Sequence, residues 1–337
     1  MPLISPNALL HAHLKQNPPR RPSNRAPSEV RPVQLNVGSL THCNGSSLVK
    51  IGATTIVCGV RAEILPVSEI PSFRVTKTSA AYNPSAPVAR DNRYVDGEQE
   101  EEYGAIPLYH LVVPNIELAT GCSPKHPANT APSVEAQSIS QRLLSLLHTS
   151  QLVRTSDLEI IYTPPAETQD TELGINADPQ LKAYWTFYGG SIFDAAWLAL
   201  YAALKDTSLP KAWWDQDLEQ VLCSADVEDA HNLRLRGMPV PSTFGVFIPE
   251  QRLVTVNGGD DQYWVLMDMD GFEEEACIET GTITVDAGGN AESLSILRIE
   301  KSGGPSIDVA QMIKIVTFAE QRQRQWKDVL EKAFMKT

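Results

Sequence analysis

The stretch QYWVLMDMDGFEEEACIETGTITVDAGGNAESLSILRIE, Gln262–Glu300, decides how this chain is read. Its apolar run, Tyr263 to Met267, leads into Asp268, Asp270, Glu273, Glu274 and Glu275. Two strand-like segments follow, Gly281–Val285 and Leu294–Ile299, joined by a Gly288-Gly289-Asn290 turn. The spacing predicts a β-meander with carboxylates at one strand end. Carboxylates so clustered can hold a divalent cation or act as general acid and base. A solvated loop is the other reading, because most charge runs simply face water.

Outward from this stretch, the C-terminal side predicts a long helix, about Ile307 to Phe334, with Met312, Ile315, Val316, Ala319, Trp326, Leu330 and Phe334 on its apolar face. On the N-terminal side, Phe244–Ile248 and Leu253–Val256 predict a hairpin around Pro249-Glu250. The clearest β signal is Val33–Ile64. Alternation at Val33, Leu35 and Val37, a turn at Asn44-Gly45 and a tight turn at Gly52-Ala53 predict three antiparallel strands. Leu108–Ile116, Leu158–Tyr162 and Leu181–Tyr188 read as further strands. Ser133–Leu152 reads as an amphipathic helix through Ala136, Ile139, Leu143, Leu146 and Leu147. The helix Ile192–Lys205 follows a Gly-Gly turn, and its five alanines permit close packing on a sheet. Strands, helix, strands, helix, strands and helix make an α+β order rather than an alternating parallel one.

Four segments lack this patterning. Met1–Pro32 is rich in proline and arginine (Arg20, Arg21, Arg25, Arg31). It reads as an extended arm lying on its own domain or a neighbour, with phosphate contact as the functional alternative; Leu9, Leu10 and Leu14 can form one amphipathic turn or two, but the prolines argue against a regular element there. Residues 66–107 and 164–179 read as surface insertions, and 209–235 as a connector. The expected organisation is an arm at 1–32, a first half at 33–235 carrying both insertions and the connector, and a second half at 240–337.

Of the 337 residues 42% are hydrophobic and 20% charged, which is ordinary for a globular protein with a sizeable core. A net charge of −13 argues against a free-standing nucleic-acid binder, which needs a basic face. The five cysteines include no CxxC pair, so buried free thiols in a reducing compartment are expected. Neither a signal peptide nor a membrane span is read, the longest apolar run being Ala195–Leu204. GxGxxG, P-loop, GxSxG and HExxH patterns are missing. His11 and His13 have a metal-like spacing, but nothing nearby completes a ligand set, and no metal or cofactor is expected.

Several stretches together resemble the RNase PH family. They are Arg21-Pro22-Ser23-Asn24-Arg25, Glu29-Val30-Arg31, LNVGSLTHCNGSSLVKIGATTIVCGVRAEI (Leu35–Ile64), LVVPNIEL (Leu111–Leu118), YGGSIFDAAWLALYAAL (Tyr188–Leu204) and the acidic stretch with ETGTITVDAGGN. Within that family the chain looks most like the non-catalytic RNase PH-like subunits of the eukaryotic RNA exosome ring. The resemblance implies an RNase PH-like (ribosomal protein S5 domain 2-like) fold of two pseudo-related sheet-and-helix halves. It also implies a structural role in 3′-to-5′ RNA processing and degradation, and nuclear, nucleolar and cytoplasmic locations. Implied partners are other RNase PH-like ring subunits, S1-type cap subunits and an associated hydrolytic ribonuclease, with RNA met through the complex.

Family enzymes shorten RNA with inorganic phosphate as nucleophile, which requires cations to gather two anions and carboxylates to handle a metal ion or proton. Mapped by the resemblance, the first active-site aspartate falls on Asp268 and the second on Glu274, one methylene longer. The phosphate-binding arginines fall on Pro132 and Ile192, neither of which binds phosphate. The RNA loop falls on Ser123–Thr130, where Lys125 and His126 are the candidate RNA contacts. The implied protein is a pseudo-enzyme. The alternative is an active phosphate-dependent 3′–5′ exoribonuclease whose metal would be carried by Asp268, Asp270 and Glu274.

Overall fold

The computed structural model describes residues 5–66, 106–107, 110–118, 133–161, 174–187, 192–215, 218, 220–249, 263–287, 294–303 and 307–335. In chain order these form α1 (Pro6–Leu14), β1 (Val33–Val37), β2 (Gly45–Ile51), β3 (Thr54–Pro66), β4 (Val113–Leu118), α2 (Val134–Ser150), β5 (Glu159–Ile161), β6 (Gly174–Phe187) and α3 (Ile192–Asp206). The short strands β7 (Ser208–Leu209), β8 (Ala212–Asp215), β9 (Gln220–Cys223) and β10 (His231–Asn232) follow. Then come β11 (Pro239–Phe247), β12 (Trp264–Met267), α4 (Gly271–Ala276), β13 (Glu279–Ala287), β14 (Leu294–Ser302) and α5 (Val309–Phe334).

Two sheets carry the halves. The first runs β1-β2-β3-β6-β4, with β5 also on β6; the second runs β12-β11-β13-β14. The β1–β2–β3 meander forms as its alternation predicts, with the Gly52-Ala53 turn closing β2 onto β3 and Gly52 at φ +60°. α3 lies between the sheets. Residues 192 to 204 are all buried, as suits a helix that is apolar on every side. Its Trp197 indole donates to the Pro239 carbonyl at 2.7 Å, which ties the first half to the start of β11. α5 joins the two cores as well. Ile315 and Ala319 sit in the cluster under the second sheet, while Trp326 and Leu330 belong to the cluster of the first. Among the described residues no helix is long and apolar enough to cross a membrane.

The predicted helices keep their places. α2 buries Ala136, Ile139, Leu143, Leu146 and Leu147, with Ser133 as its N-cap and Gln151 left-handed at its C-cap. Several strand expectations need correction. The segment 164–179 is not wholly an insertion, because β6 begins at Gly174 and runs through Phe187. Its Pro179 falls where β6 has no second neighbour, between the rungs to β5 (174–176) and those to β4 (180–185), so the missing N–H is not needed. β11 starts at Pro239 rather than Phe244 for the same reason: its prolines at 239 and 241 precede the rungs to β12. The described partner of β11 on that side is β12, and Leu253–Val256 lies outside the described residues. The strand expected at 108–116 is shifted to Val113–Leu118. The connector is not without structure, since it holds the β8–β9 hairpin and the β7–β10 pair.

The arm expectation is half right. The arm does lie on its own chain. It is not devoid of regular structure, because α1 forms ahead of the proline cluster. Pro6 occupies the first turn and the Ser5 hydroxyl accepts from the Ala8 amide at 3.3 Å. Leu10 and Leu14 pack into a third core cluster with Phe247, Leu266, Met269 and Ala276. Free thiols are found at Cys43, Cys58, Cys223 and Cys277, but burial is uneven: Cys58 is buried, while Cys223 is exposed on the connector hairpin. Most of the insertion at 66–107, and Cys122, lie outside the described residues.

Candidate functional site: a neutralised carboxylate cluster beside a cleft

The acidic stretch is not a solvated loop. Asp268 and Glu273 are both 0% exposed. β12 delivers Asp268 into the interior, its own φ being +49°, a left-handed conformation that aspartate tolerates. Its amide donates to the Thr243 carbonyl of β11 at 3.1 Å. Asp270 then caps α4 in a reciprocal capping box with Glu273, which turns the Glu273 carboxylate back toward the arm.

Burying carboxylates without countercharges would cost far more than a fold can supply. The chain meets this with four guanidiniums. Arg31 Nε and Nη2 donate to Asp268 Oδ2 and Oδ1 at 3.0 and 2.7 Å, and the Arg31 amide donates to Oδ2 at 2.7 Å. Arg21, 0% exposed, donates to Glu273 Oε2 at 3.1 Å and to the Met267 carbonyl. Arg25 reaches Glu273 at 3.3 Å, and Asp268 and Asp270 at 3.8 Å each. From α5, Arg322 pairs with Asp194 of α3 at 2.9 Å and stands 3.8 Å from Asp268. Asp194 also accepts from the Thr243 amide and hydroxyl at 3.0 and 2.7 Å. Arm, both halves and C-terminal helix thus meet in one buried chain of alternating charge.

Protonation follows from these contacts. Burial works against the charged form of Asp268, but the Arg31 hydrogen bonds and the Arg322 and Arg31 charges outweigh it, holding the carboxyl down at about 2. Burial raises the Asp194 and Glu273 carboxyls despite their arginine partners. Arg31 is raised: burial opposes its charge, and the Asp268 hydrogen bonds and charge overcome that.

Beside this cluster lies a cleft of about 510 Å³ between α2 and the β13–β14 face. Its lining includes Glu135 and Arg142 of α2, Ile192 and Phe193 of α3, Glu274, and Thr282 and Glu300 of the second sheet. Arg142 spans it, donating to Glu300 and Thr282 at 3.0 Å each while its guanidinium lies 4.1 Å from the centre of the Phe193 ring. Burial raises the Glu274 carboxyl, and the nearby Glu135 and Asp194 charges push the same way.

The structure therefore separates residues that the resemblance placed together. Glu274 and Ile192 line the cleft; Asp268 does not, because its carboxylate points into the arginines. Ile192 is 5% exposed and puts a hydrocarbon where the resemblance implies a phosphate-binding cation. Asp268, Asp270 and Glu274 do not make a divalent-metal set: Arg31 occupies both Asp268 oxygens and Asp270 caps a helix. Among the described residues, no group of three or more His, Cys, Asp or Glu is placed to hold a metal ion. His11 packs its ring edgewise on Trp264, centroids 5.8 Å apart. Pro132, Lys125 and His126 lie outside the described residues.

Sequence reading missed Asp194, Arg322 and Arg142. Two of them had a signal. Asp194 is an acid inside an otherwise apolar helix, and Arg322 falls in phase with the stripe Ile315, Ala319, Trp326 and Leu330. A charge in step with an apolar face points to a buried partner.

Comparison with known proteins agrees with this architecture. Residues 29–210 match the family model for RNase PH, described as the 3′ exoribonuclease family, domain 1. The chain belongs to that family. It is 28% identical over 327 residues to exosome complex component rrp43 of Schizosaccharomyces pombe, covering 95% of this chain and 93% of that protein. It is 20% identical over 316 residues to exosome complex component Rrp42 of Thermococcus gammatolerans, covering 93% and 90%. Among solved structures it resembles a chain of the Archaeoglobus fulgidus exosome with RNA bound to the active site (TM-score 0.62, 18% identity, 96% of both chains). It also resembles an archaeal exosome core (TM-score 0.55, 18% identity, 96% of both chains). At such identity these two likenesses speak to the fold alone.

Proposed function

We propose that the chain is a non-catalytic structural subunit of an RNA exosome ring, contributing to 3′-to-5′ RNA processing and degradation by architecture and by lining part of the RNA path. One observation carries the reading. Among the described residues, every guanidinium that approaches Asp268 faces a carboxylate of this same chain, and the cleft residue to which the resemblance assigns a phosphate-binding arginine is Ile192. Phosphorolysis brings phosphate against a phosphodiester, and repulsion between the two anions must be offset by cations aimed at them. These four guanidiniums are set against Asp194, Asp268, Asp270 and Glu273, and Arg142 in the cleft is set against Glu300.

Family membership, and relatives that are exosome components along nearly their whole length, support the ring assignment. The partners that follow are other RNase PH-like ring subunits, S1-type cap subunits and an associated hydrolytic ribonuclease, with nuclear, nucleolar and cytoplasmic locations. Lys125 and His126 are proposed as RNA contacts in the assembled path. Native mass spectrometry of the chain co-expressed with RNase PH-like partners tests this. A closed hetero-ring holding one copy of this chain is expected. A stable monomer in the presence of all partners would refute the ring role.

A further inference from the structure

The first half carries a second recess, of about 550 Å³, that shares no residue with the cleft. Its floor is apolar: Ala62 and Ile64 of β3, Leu158 and Ile160, and Leu209 and Ala212 from the start of the connector. Ile64 is 38% exposed, and Trp213, next to Ala212, is 43% exposed, so apolar surface continues out of the groove. Its rim is acidic. Glu63, Asp157, Glu159 and Asp229 stand against Arg61 and Lys211. Arg61 is 3.6 Å from Glu63, which cancels one charge of each sign and leaves three carboxylates to one lysine. Asp157 Oδ2 is itself buried and has no hydrogen-bond partner among the described residues.

Few native groups are buried in this way, because a desolvated carboxylate oxygen left unmade is costly. RNA is the wrong occupant, since its phosphates would meet the acidic rim. A wholly apolar ligand would cover the floor and leave the rim carboxylates without a countercharge. A polypeptide offering leucine-like side chains to the floor and a lysine or arginine to the rim satisfies both. The geometry points to a docking groove for a linear, basic-and-apolar peptide segment of a partner protein, separate from the vestigial cleft and independent of ring membership. Apolar burial would supply most of the affinity, and the carboxylates would set the choice of segment.

Fluorescence anisotropy with the full chain, alone and in its co-purified complex, tests this with a fluorescein-labelled decapeptide alternating leucine and arginine. Saturable binding is expected, at least tenfold tighter than for leucine–glutamate or serine–arginine decapeptides. Asp157→Asn with Glu159→Arg should weaken it tenfold or more, and Ala212→Trp, which fills the floor, should do the same. Glu117→Arg, at an exposed position of β4, should bind like the wild type. Equal binding of the serine–arginine or leucine–glutamate peptide, competition by a uridine decanucleotide, or indifference to both groove variants would overturn the proposal. So would a concentration-dependent dimer of the chain abolished by Glu159→Arg without any peptide binding, which would assign the groove to a second copy.

Discussion

Asp268→Ala lowers the stability of the chain by about 3–5 kcal/mol, the cost of leaving buried charge uncompensated. The change removes the carboxylate that accepts three hydrogen bonds from Arg31 and faces Arg25 and Arg322, two of these three guanidiniums being nearly sealed from water. For a catalytic carboxylate on an open cleft the same substitution would abolish turnover with little effect on folding; here the loss falls on folding. Urea unfolding followed by circular dichroism reads it. Acid dependence gives a second signature. The folded carboxyl at about 2 lies below the unfolded value of about 3.9, so its stabilisation is complete above about pH 4 and is lost as pH falls toward 2. The stability gap between wild type and Asp268→Asn is expected to be flat from pH 7 to about 4 and to shrink below that. Asp194 and Glu273 titrate in both proteins, and the variant also eases Asp194, which the Asp268 charge helps to raise.

Leu10→Ala and Leu14→Ala together are expected to be more damaging still, at about 2–5 kcal/mol each, the range for emptying a buried leucine site. Both side chains are at most 2% exposed and pack on Phe247, Leu266 and Met269, beside the β12 end that positions Asp268. That sum rivals the whole stability of a typical domain. The double variant should accumulate as an unfolded or aggregated chain, whereas Leu14→Met, which keeps the volume, should unfold within about 1.5 kcal/mol of the wild type. Were the arm only a docking element for neighbours, the double variant would instead be stable alone and fail solely in assembly.

The two predictions share a cause that the sequence shows only in pieces. Arg31 and Asp268 lie 237 positions apart, and nothing local to either announces the pair. The meander, the alanine-rich buried helix and the C-terminal stripe were legible because each is a local period: two in a strand, about 3.6 in a helix. β6 was partly hidden because Asp178 and Pro179 read as loop chemistry, although a proline where the strand has a neighbour on one side only needs no partner. α1 was legible only as a turn or two at Leu9, Leu10 and Leu14, because the prolines that follow it dominate the composition of the arm. Glu274 and Ile192 line the cleft, and nothing in the sequence could foresee that Asp268 turns away from it. That orientation is set by the left-handed backbone at 268 and by arginines arriving from two distant segments.

The arginine cluster also bears on catalysis from the opposite side. Four guanidiniums around Asp268 would restore anion binding if even one of them were uncommitted. Arg21, Arg31 and Arg322 are at most 7% exposed, and each is bound to a carboxylate, so the charge present is spent within the fold.

The most direct measurement is release of nucleoside diphosphates from single-stranded RNA by the purified chain in inorganic phosphate with Mg²⁺ or Mn²⁺. Our account predicts none above a no-protein control, for the chain alone and for its ring when the other subunits are inactivated. Diphosphate release that requires phosphate and disappears on Glu274→Gln, a substitution in the cleft that leaves the buried arginine network intact, would contradict it.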